Sequence, residues 1–397
     1  MSTEPYIRYR KRQAQWLSIR FRIMKIFPIK KNKVVFSTYE GDGGFCCNPR
    51  YIAQELHKKK PNLQLVWLTK DTSRPFPDYI KVKEYTPWKL AYHLSTAKVW
   101  IDNYRKPYGT LKRKGQLYVQ TWHASLGFKA VGLFRGNAFP DIARLISEWD
   151  SSLADYLLSN SEYCDRVYPQ KLLYNGPTLR TGSPRVDCLI NDKEKLRVIL
   201  RERLGLNTQT NLLLFAPTFR GGNQNNKKQV IAEVPQLDFR KLIKALHEKF
   251  GGEWKILLRL HPQLSAKMDE MPLSSKDDCM IDVSQEPDIS EIMAGCDVVM
   301  TDYSSCAFDA AFAKIPVFLY ADDVQEYIRN RGQFMWKREE LPFSVSEDSF
   351  ELIDSVNNFD YEMYCNRIDV FMKRHGIYED GRASERVADF LLSYLNN

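Results

Sequence analysis

From residue 34 onward the chain repeats one phrase: a short apolar run, a polar turn, then helical text. This is the rhythm of a parallel sheet clothed in helices, and it constrains the fold more tightly than composition does. Val34–Ser37, Leu63–Leu68, Ala97–Ile101, Gln116–Gln120 and Tyr156–Ser159 read as strands, with a helix near Pro49–Lys59. After Asn191 the rhythm restarts. A charged helix over Lys193–Leu204 leads to strands at Asn211–Ala216, Lys255–Arg259, Met280–Val283, Asp297–Thr301 and Pro316–Tyr320, with helices around Phe239–Phe250 and Ser305–Ala313. At 397 residues the chain is long for one core. The economical assignment is α/β: two Rossmann-like domains, residues 34–190 and 191–397, facing across a cleft, with the C-terminal helices in the second. Ligands in such folds sit at the carboxyl ends of the strands. The Gly/Asn-rich run 221–228 reads as a mobile loop.

Residues 1–33 stand apart. Ten basic residues face the single acid Glu4, and among them lie Trp16, Leu17, Phe21, Ile23, Met24 and Phe27. Wound as a helix the stretch is partly amphipathic, which suits a membrane-proximal segment on an anionic leaflet. A surface helix packed on the first domain is the plainer alternative. The net charge of +9 calls for an anionic partner, whether nucleic acid, phosphorylated substrate or membrane. The eight cysteines include no CxxC pair and read as reduced thiols rather than a zinc cage or disulfide frame. No run reaches the roughly 18 apolar residues that cross a bilayer, and no secretory core opens the chain. A protein working on the cytoplasmic side is expected.

Polar groups collect just after the strands. Gln120 is followed by Thr121-Trp122-His123-Ala124-Ser125-Leu126-Gly127-Phe128-Lys129. A histidine here can take a proton from a hydroxyl, because its ordinary pKa lies near working pH; Lys129 can face a phosphate. A lone histidine is more often simply hydrogen-bonded inside a domain. Ala216 leads into Pro217-Thr218-Phe219-Arg220, a hydroxyl and a guanidinium that also suit a capped turn. Arg259-Leu260-His261-Pro262 closes another strand, with Arg259 and His261 alternating onto one side. Arg pairs bidentately with phosphate and His⁺ can protonate a leaving phosphate. Thr301-Asp302-Tyr303-Ser304-Ser305, with Asp309 one turn on, places hydroxyls at a helix start, where a diphosphate or a plain N-cap both fit. Between the domains runs Gly182-Ser183-Pro184-Arg185-Val186-Asp187. No P-loop lysine motif is present.

In combination and order these clusters, with Ser159-Asn160-Ser161, resemble the CDP-glycerol glycerophosphotransferase family of teichoic-acid and capsule synthesis, over about residues 30 to 380. The resemblance implies a glycosyltransferase-B-like fold, an acceptor-side N-terminal domain and a C-terminal domain that binds the CDP donor. It implies transfer of glycerol phosphate, or a related polyol phosphate, from CDP-glycerol to a hydroxyl of an undecaprenyl-diphosphate-linked saccharide, with release of CMP. The expected place is peripheral, at the cytoplasmic face of the bacterial plasma membrane. His123 and His261 take the catalytic roles, His123 as base. Arg185, Thr218, Arg220, Arg259, Ser304, Ser305 and Asp309 form the donor pocket, and Ser125, Gly127 and Lys129 lie on the acceptor and phosphate side. No cofactor and no metal are expected, nor any nucleic-acid partner. The family usually reads His-Gly-Thr-Pro where this chain reads His123-Ala124-Ser125-Leu126, which leaves the acceptor and the polyol open. The modest length suits a primase or single-addition enzyme. A glycosyltransferase of the same fold using a nucleotide sugar, and a non-catalytic membrane-bound scaffold, are the rival classes.

Overall fold

Among the described residues thirteen strands, all paired in parallel, form two sheets. The computed structural model describes residues 4–124, 126–218, 237–260, 279–331 and 333–396. The chain divides into two compact units: Met1–Ser125, Ala130–Asp187 and His375–Asn397 in the first, Leu126–Lys129 and Cys188–Arg374 in the second.

In the first unit the strands are β1 (Lys30–Ser37), β2 (Gln64–Thr69), β3 (Ile80–Glu84), β4 (Ala97–Asp102), β5 (Leu117–Gln120), β6 (Tyr156–Ser159) and β7 (Thr178–Arg180), in the order β3-β2-β1-β4-β5-β6-β7. The second sheet holds β8 (Asn211–Ala216), β9 (Trp254–Leu258), β10 (Met280–Asp282), β11 (Val298–Thr301), β12 (Val317–Tyr320) and β13 (Ser344–Ser346), in the order β10-β9-β8-β11-β12-β13. Each order reverses once, between β1 and β4 and between β8 and β11. The central strands match the sequence reading because they are buried on both faces and are therefore continuously apolar. β3, β7 and β13, which that reading passed over, are edge strands, short and partly exposed.

Three assignments from sequence change. The basic segment does not stand apart from the first domain. It forms the helix Glu4–Met24, whose Ala14, Leu17 and Phe21 are buried, and its last basic residues already belong to β1. Leu17 and Phe21 pack with Val35, Val66, Leu90, Trp100 and Tyr118. The helix lies so close to the loop at Gly109 that a Cβ there would meet the Ala14 carbonyl oxygen at 2.3 Å, and Ser18 donates to the Gly109 carbonyl at 2.8 Å. Secondly, the last helix, Ala383–Asn396, belongs to the first unit, not the second. Its Val387, Ala388, Leu391 and Leu395 join the core of Val34, Phe36, Ile52, Leu56 and Val99. Asp187 fastens it: its Oδ1 accepts from Ala383 N at 3.0 Å and its Oδ2 from Ser384 N at 2.7 Å, satisfying donors at the helix start. Thirdly, Leu126–Lys129 leaves the first unit and joins the second. Phe128 stacks on Phe308, its carbonyl accepts from Met335 N at 2.7 Å, and Lys129 bridges Phe334.

Asp187→Ala removes both of those bonds from a buried site. A loss of roughly 1–3 kcal/mol of stability is expected, read as an earlier thermal transition by circular dichroism, while an exposed control such as Lys195→Ala stays unchanged.

Candidate functional site

The point at which strand order reverses opens a crevice at the carboxyl edge of an α/β sheet, and both units carry polar groups there. In the first, Ser37 at the end of β1 donates to Asp102 Oδ2 at the end of β4, and the Lys106 ammonium pairs with the same oxygen. Lys106 and Asp102 are 1% and 2% exposed, so this ion pair is sealed in protein.

His123 sits three residues beyond β5, next to that point. Its Nδ1 is 2.8 Å from the Asn103 carbonyl oxygen. A carbonyl can only accept, so Nδ1 carries the proton and Nε2 keeps its lone pair. The ring lies 4.4 Å from Trp122, 5.3 Å from Tyr39 and 5.6 Å from Tyr104, centroid to centroid. Burial lowers its pKa to about 4; the Asn103 bond opposes the shift, and the cations of Arg185, Arg105 and Lys171 reinforce it. At neutral pH the imidazole is uncharged, with an accepting edge: the state a general base needs.

The backbone around His123 is held in unusual shapes. Six non-glycine residues among those described have positive φ, and four of them gather here: Tyr39, Glu40, Cys47 and Trp122. Such conformations cost energy and cluster at functional sites. Asn48 clasps the turn, its Nδ2 donating to the carbonyls of Thr121 at 3.3 Å and Trp122 at 3.1 Å, while its Oδ1 accepts from Arg185 N at 3.0 Å. Arg185 in turn donates from Nη1 to the His123 carbonyl and reaches Cys47 Sγ at 3.7 Å. Arg185, expected in the donor pocket, is only 6% exposed and braces the histidine's own backbone.

In the second unit, Thr218 follows β8 and Asp302 follows its neighbour β11. Asp302 accepts from Thr218 N at 2.9 Å, from Thr218 Oγ1 at 3.0 Å and from Tyr303 N at 2.5 Å. The Thr218 hydroxyl thus donates to Asp302. Arg259, one residue past β9, donates from Nη1 to the carbonyls of Val283 at 3.1 Å and Glu286 at 2.8 Å, so that arm holds the adjoining turn. Ser304 and Ser305 stand half-buried before the helix Cys306–Phe312, and Asp309 is buried in its first turn. Tyr303 packs on Tyr327 at 4.1 Å, and Lys129 Nζ lies 5.8 Å from the Tyr327 ring. Lys129 and Gly127, assigned from sequence to the acceptor side of the first domain, belong to this unit; the Gly127 carbonyl accepts from Trp336 Nε1 at 3.1 Å.

The predicted residues thus fall into two sets, His123 and Arg185 in the first unit, Gly127, Lys129, Thr218, Arg259, Ser304, Ser305 and Asp309 in the second. Ser125, Arg220 and His261, with the run 221–228, lie outside the described residues. Sequence reasoning missed Asn48, Asn103 and Asp302. Only Asp302 stood inside a noted motif; Asn48 and Asn103 carry no local signal. Among the described residues no three His, Cys, Asp or Glu side chains are placed to share a metal ion.

Comparison with known proteins bears on this arrangement. Residues 19–393 match the family model described as CDP-glycerol:poly(glycerophosphate) glycerophosphotransferase. A teichoic acid poly(glycerol phosphate) polymerase of Staphylococcus epidermidis is 29% identical over 376 residues, 91% of this chain but only 51% of that protein. A polymerase of the same description from Bacillus spizizenii is 27% identical over 407 residues, covering 99% of this chain and 100% of its own. This chain therefore spans about half the length of the first relative and the whole of the second. The solved structure of the wall teichoic acid polymerase TagF superposes with a TM-score of 0.80, over 100% of this chain and 99% of the other, at 23% identity, a likeness of fold.

The clasp around the histidine has a measurable signature. In histidine-labelled protein the His123 ring is expected to titrate near pH 4 by NMR. Asn48→Ala, which removes the bonds to Arg185 N and to the Thr121 and Trp122 carbonyls, is expected to shift that titration towards the ordinary value of about 6.5.

Proposed function

We propose that this chain, which belongs to the CDP-glycerol:poly(glycerophosphate) glycerophosphotransferase family, transfers glycerol phosphate or a related polyol phosphate from a CDP-activated donor to a hydroxyl of a membrane lipid-linked saccharide. The observation that carries the reading is the neutral, Nδ1-anchored His123 with Nε2 left to accept a proton. An acceptor hydroxyl attacks the phosphorus that bears the polyol. The new P–O bond forms as the P–O bond to CMP breaks, and the hydroxyl proton passes to His123 Nε2. Anionic charge brought to the ring by a bound substrate favours the imidazolium and so raises the basicity of His123 when it is needed. The second unit holds the nucleotide. Ser304 and Ser305 offer hydroxyls to the diphosphate, and Asp302 fixes the turn that presents them. His261 and Arg220 complete the assignment by sequence. The reaction draws on no cofactor, and we assign no metal to it.

The acceptor is a lipid-linked saccharide, so the protein works at a membrane surface, which we place on the cytoplasmic side where nucleotide donors are made. No described helix is long and apolar enough to cross a bilayer. The helix Glu4–Met24 instead exposes Trp16 (63%), Ile19 (41%) and Ile23 (45%) beside Arg12 and Arg22, and Trp88 stands exposed on the neighbouring helix Pro87–Ser95. Aromatic and aliphatic side chains set among cations suit peripheral attachment to an anionic leaflet.

The deciding assay uses radiolabelled CDP-glycerol with a soluble lipid-linked disaccharide analogue. CMP release with label on the acceptor is expected, and His123→Ala should lower kcat roughly 10²- to 10⁴-fold. Transfer from a nucleotide sugar, with none from CDP-glycerol or CDP-ribitol, would assign the chain to the glycosyltransferases. In co-sedimentation with anionic vesicles, replacing Trp16, Ile19 and Ile23 together by Ser should weaken binding at least about 10-fold while leaving turnover of the soluble acceptor intact.

A further inference from the structure

We propose that Asp150, buried behind the histidine turn, is a positioning residue that sets His123 through Gln120 and Trp122. The inference rests on the assignment of His123 as general base.

Asp150 lies on the helix Asp141–Leu153 and is 4% exposed. Its Oδ1 accepts from Lys106 N and from the Tyr118 hydroxyl, both at 2.8 Å, and its Oδ2 accepts from Gln120 Nε2 at 3.2 Å. Gln120 Nε2 also reaches the Tyr118 hydroxyl at 2.8 Å and the Tyr104 carbonyl at 2.9 Å. With its amide nitrogen held this way, Gln120 turns Oε1 to accept from Trp122 N at 2.9 Å. That bond is made to a residue with φ of 52°, in the left-handed region a tryptophan rarely adopts. The Trp122 ring lies 4.4 Å from the His123 ring, and the Arg105 guanidinium stands over its face at 5.0 Å. The relay therefore runs from a carboxylate to an amide, to a strained backbone, to the residue preceding the base.

The relay is firmest while Asp150 is ionised. A carboxylate accepts strongly from all three donors, whereas protonation puts a hydrogen on one oxygen and weakens its hold on the Gln120 amide. A cavity of about 10 Å³ lined by Arg105, Gln120, Trp122 and Asp150 leaves slack for Gln120 and Trp122 to shift. Burial raises Asp150 to about 6; the bonds from Lys106 N, Tyr118 and Gln120 oppose the rise and the Asp102 carboxylate adds to it. Arg105, whose cation faces Asp150, and Tyr85 are the other charged or titratable groups in its field. Asp150 is thus ionised above about pH 6 and gains its proton as the pH falls through that value. His123 gains its own only near 4. Activity should fall on the acid side at the higher of the two.

Two measurements on the full chain test this, with wild type, Asp150→Asn and Gln120→Met. In the first, kcat is followed from pH 5 to 8 with CDP-glycerol and the soluble acceptor. Wild type should lose activity with a midpoint near pH 6. Asp150→Asn should lose that midpoint, with kcat at pH 7.5 lowered roughly 10- to 100-fold and donor KM within about 2-fold. Gln120→Met breaks the relay at its middle and should behave alike, so the test survives if one variant fails to fold. In the second, NMR of histidine-labelled protein without substrate should show an inflection of the His123 resonance near pH 6 that both variants abolish. Variants that keep the wild-type profile and inflection overturn the proposal. If wild type turns over no CDP-polyol, the functional reading fails, and the NMR inflection still decides whether Asp150 governs the histidine.

Discussion

A parallel sheet has no face that can be left to water, and the first unit is arranged around that requirement. Val34 and Phe36 of β1, Leu65 and Trp67 of β2, Val99 and Ile101 of β4, and Leu117 and Val119 of β5 point to one side. They are covered by Ile52 and Leu56 of the helix Cys47–Lys59 and by Val387 and Leu391 of the last helix. Val35, Val66, Leu68, Trp100 and Tyr118 point to the other, under Leu17 and Phe21 of the first helix and Leu90 and Leu94 of Pro87–Ser95. Segments from opposite ends of the described chain therefore clamp the same four strands. Asp187 and Glu379 secure the returning one: Glu379 accepts from Asn160 Nδ2 at 2.7 Å and from Ser183 N at 2.9 Å. The Ser-Asn-Ser and Gly-Ser-Pro-Arg-x-Asp signatures serve as fastenings of the sheet's carboxyl edge.

With the sheet fixed, the position of His123 follows from short links. β5 delivers it beside β4, whose Asn103 carbonyl takes the Nδ1 proton. Asn48 arrives from the first turn of a helix, and Arg185 from the turn before the units divide. Each contributes a fraction of the restraint, and together they hold a left-handed tryptophan and an uncharged imidazole, neither of which the local sequence would choose. Strain at such a place persists only where surrounding bonds over-determine it.

What could be read from sequence and what could not divide along this same line. Central strands announce themselves through unbroken apolar runs, and His123 through its place after one of them. The edge strands β3, β7 and β13 lack such runs, since one side of each meets solvent. The return of Ala383–Asn396 to the first sheet was illegible because it is decided by Asp187, almost two hundred positions earlier. For the same reason Asn48 and Asp150 carry no local signal: their partners Arg185 N and Gln120 come from elsewhere in the chain. Arg185 and Thr218 were singled out for their chemistry, and the bonds they make also brace the backbone and a neighbouring carboxylate. A residue type limits what a side chain is able to do, while its neighbours, brought from elsewhere, decide which of those things it does.

The two reversal points show how one topology is put to different uses. Each joins a hydroxyl at the end of one strand to an aspartate at the end of the next: Ser37 with Asp102, Thr218 with Asp302. In the first unit Lys106 neutralises the carboxylate and closes it off, so the pair can offer no charge to a ligand. A buried ion pair of this kind adds little net stability but fixes geometry, since breaking either half leaves an unpaired charge in protein. The proposed base, His123, stands after the neighbouring strand β5. In the second unit Asp302 gathers main-chain N–H groups from both Thr218 and Tyr303, locking two adjacent turns into one edge. Ser304 and Ser305 extend directly from that edge. Groups that have to be placed within a few tenths of an ångström need such a second layer to hold them: Asp302 supplies it beside Ser304 and Ser305, whereas around His123 it comes from Asn48, Asn103 and Arg185.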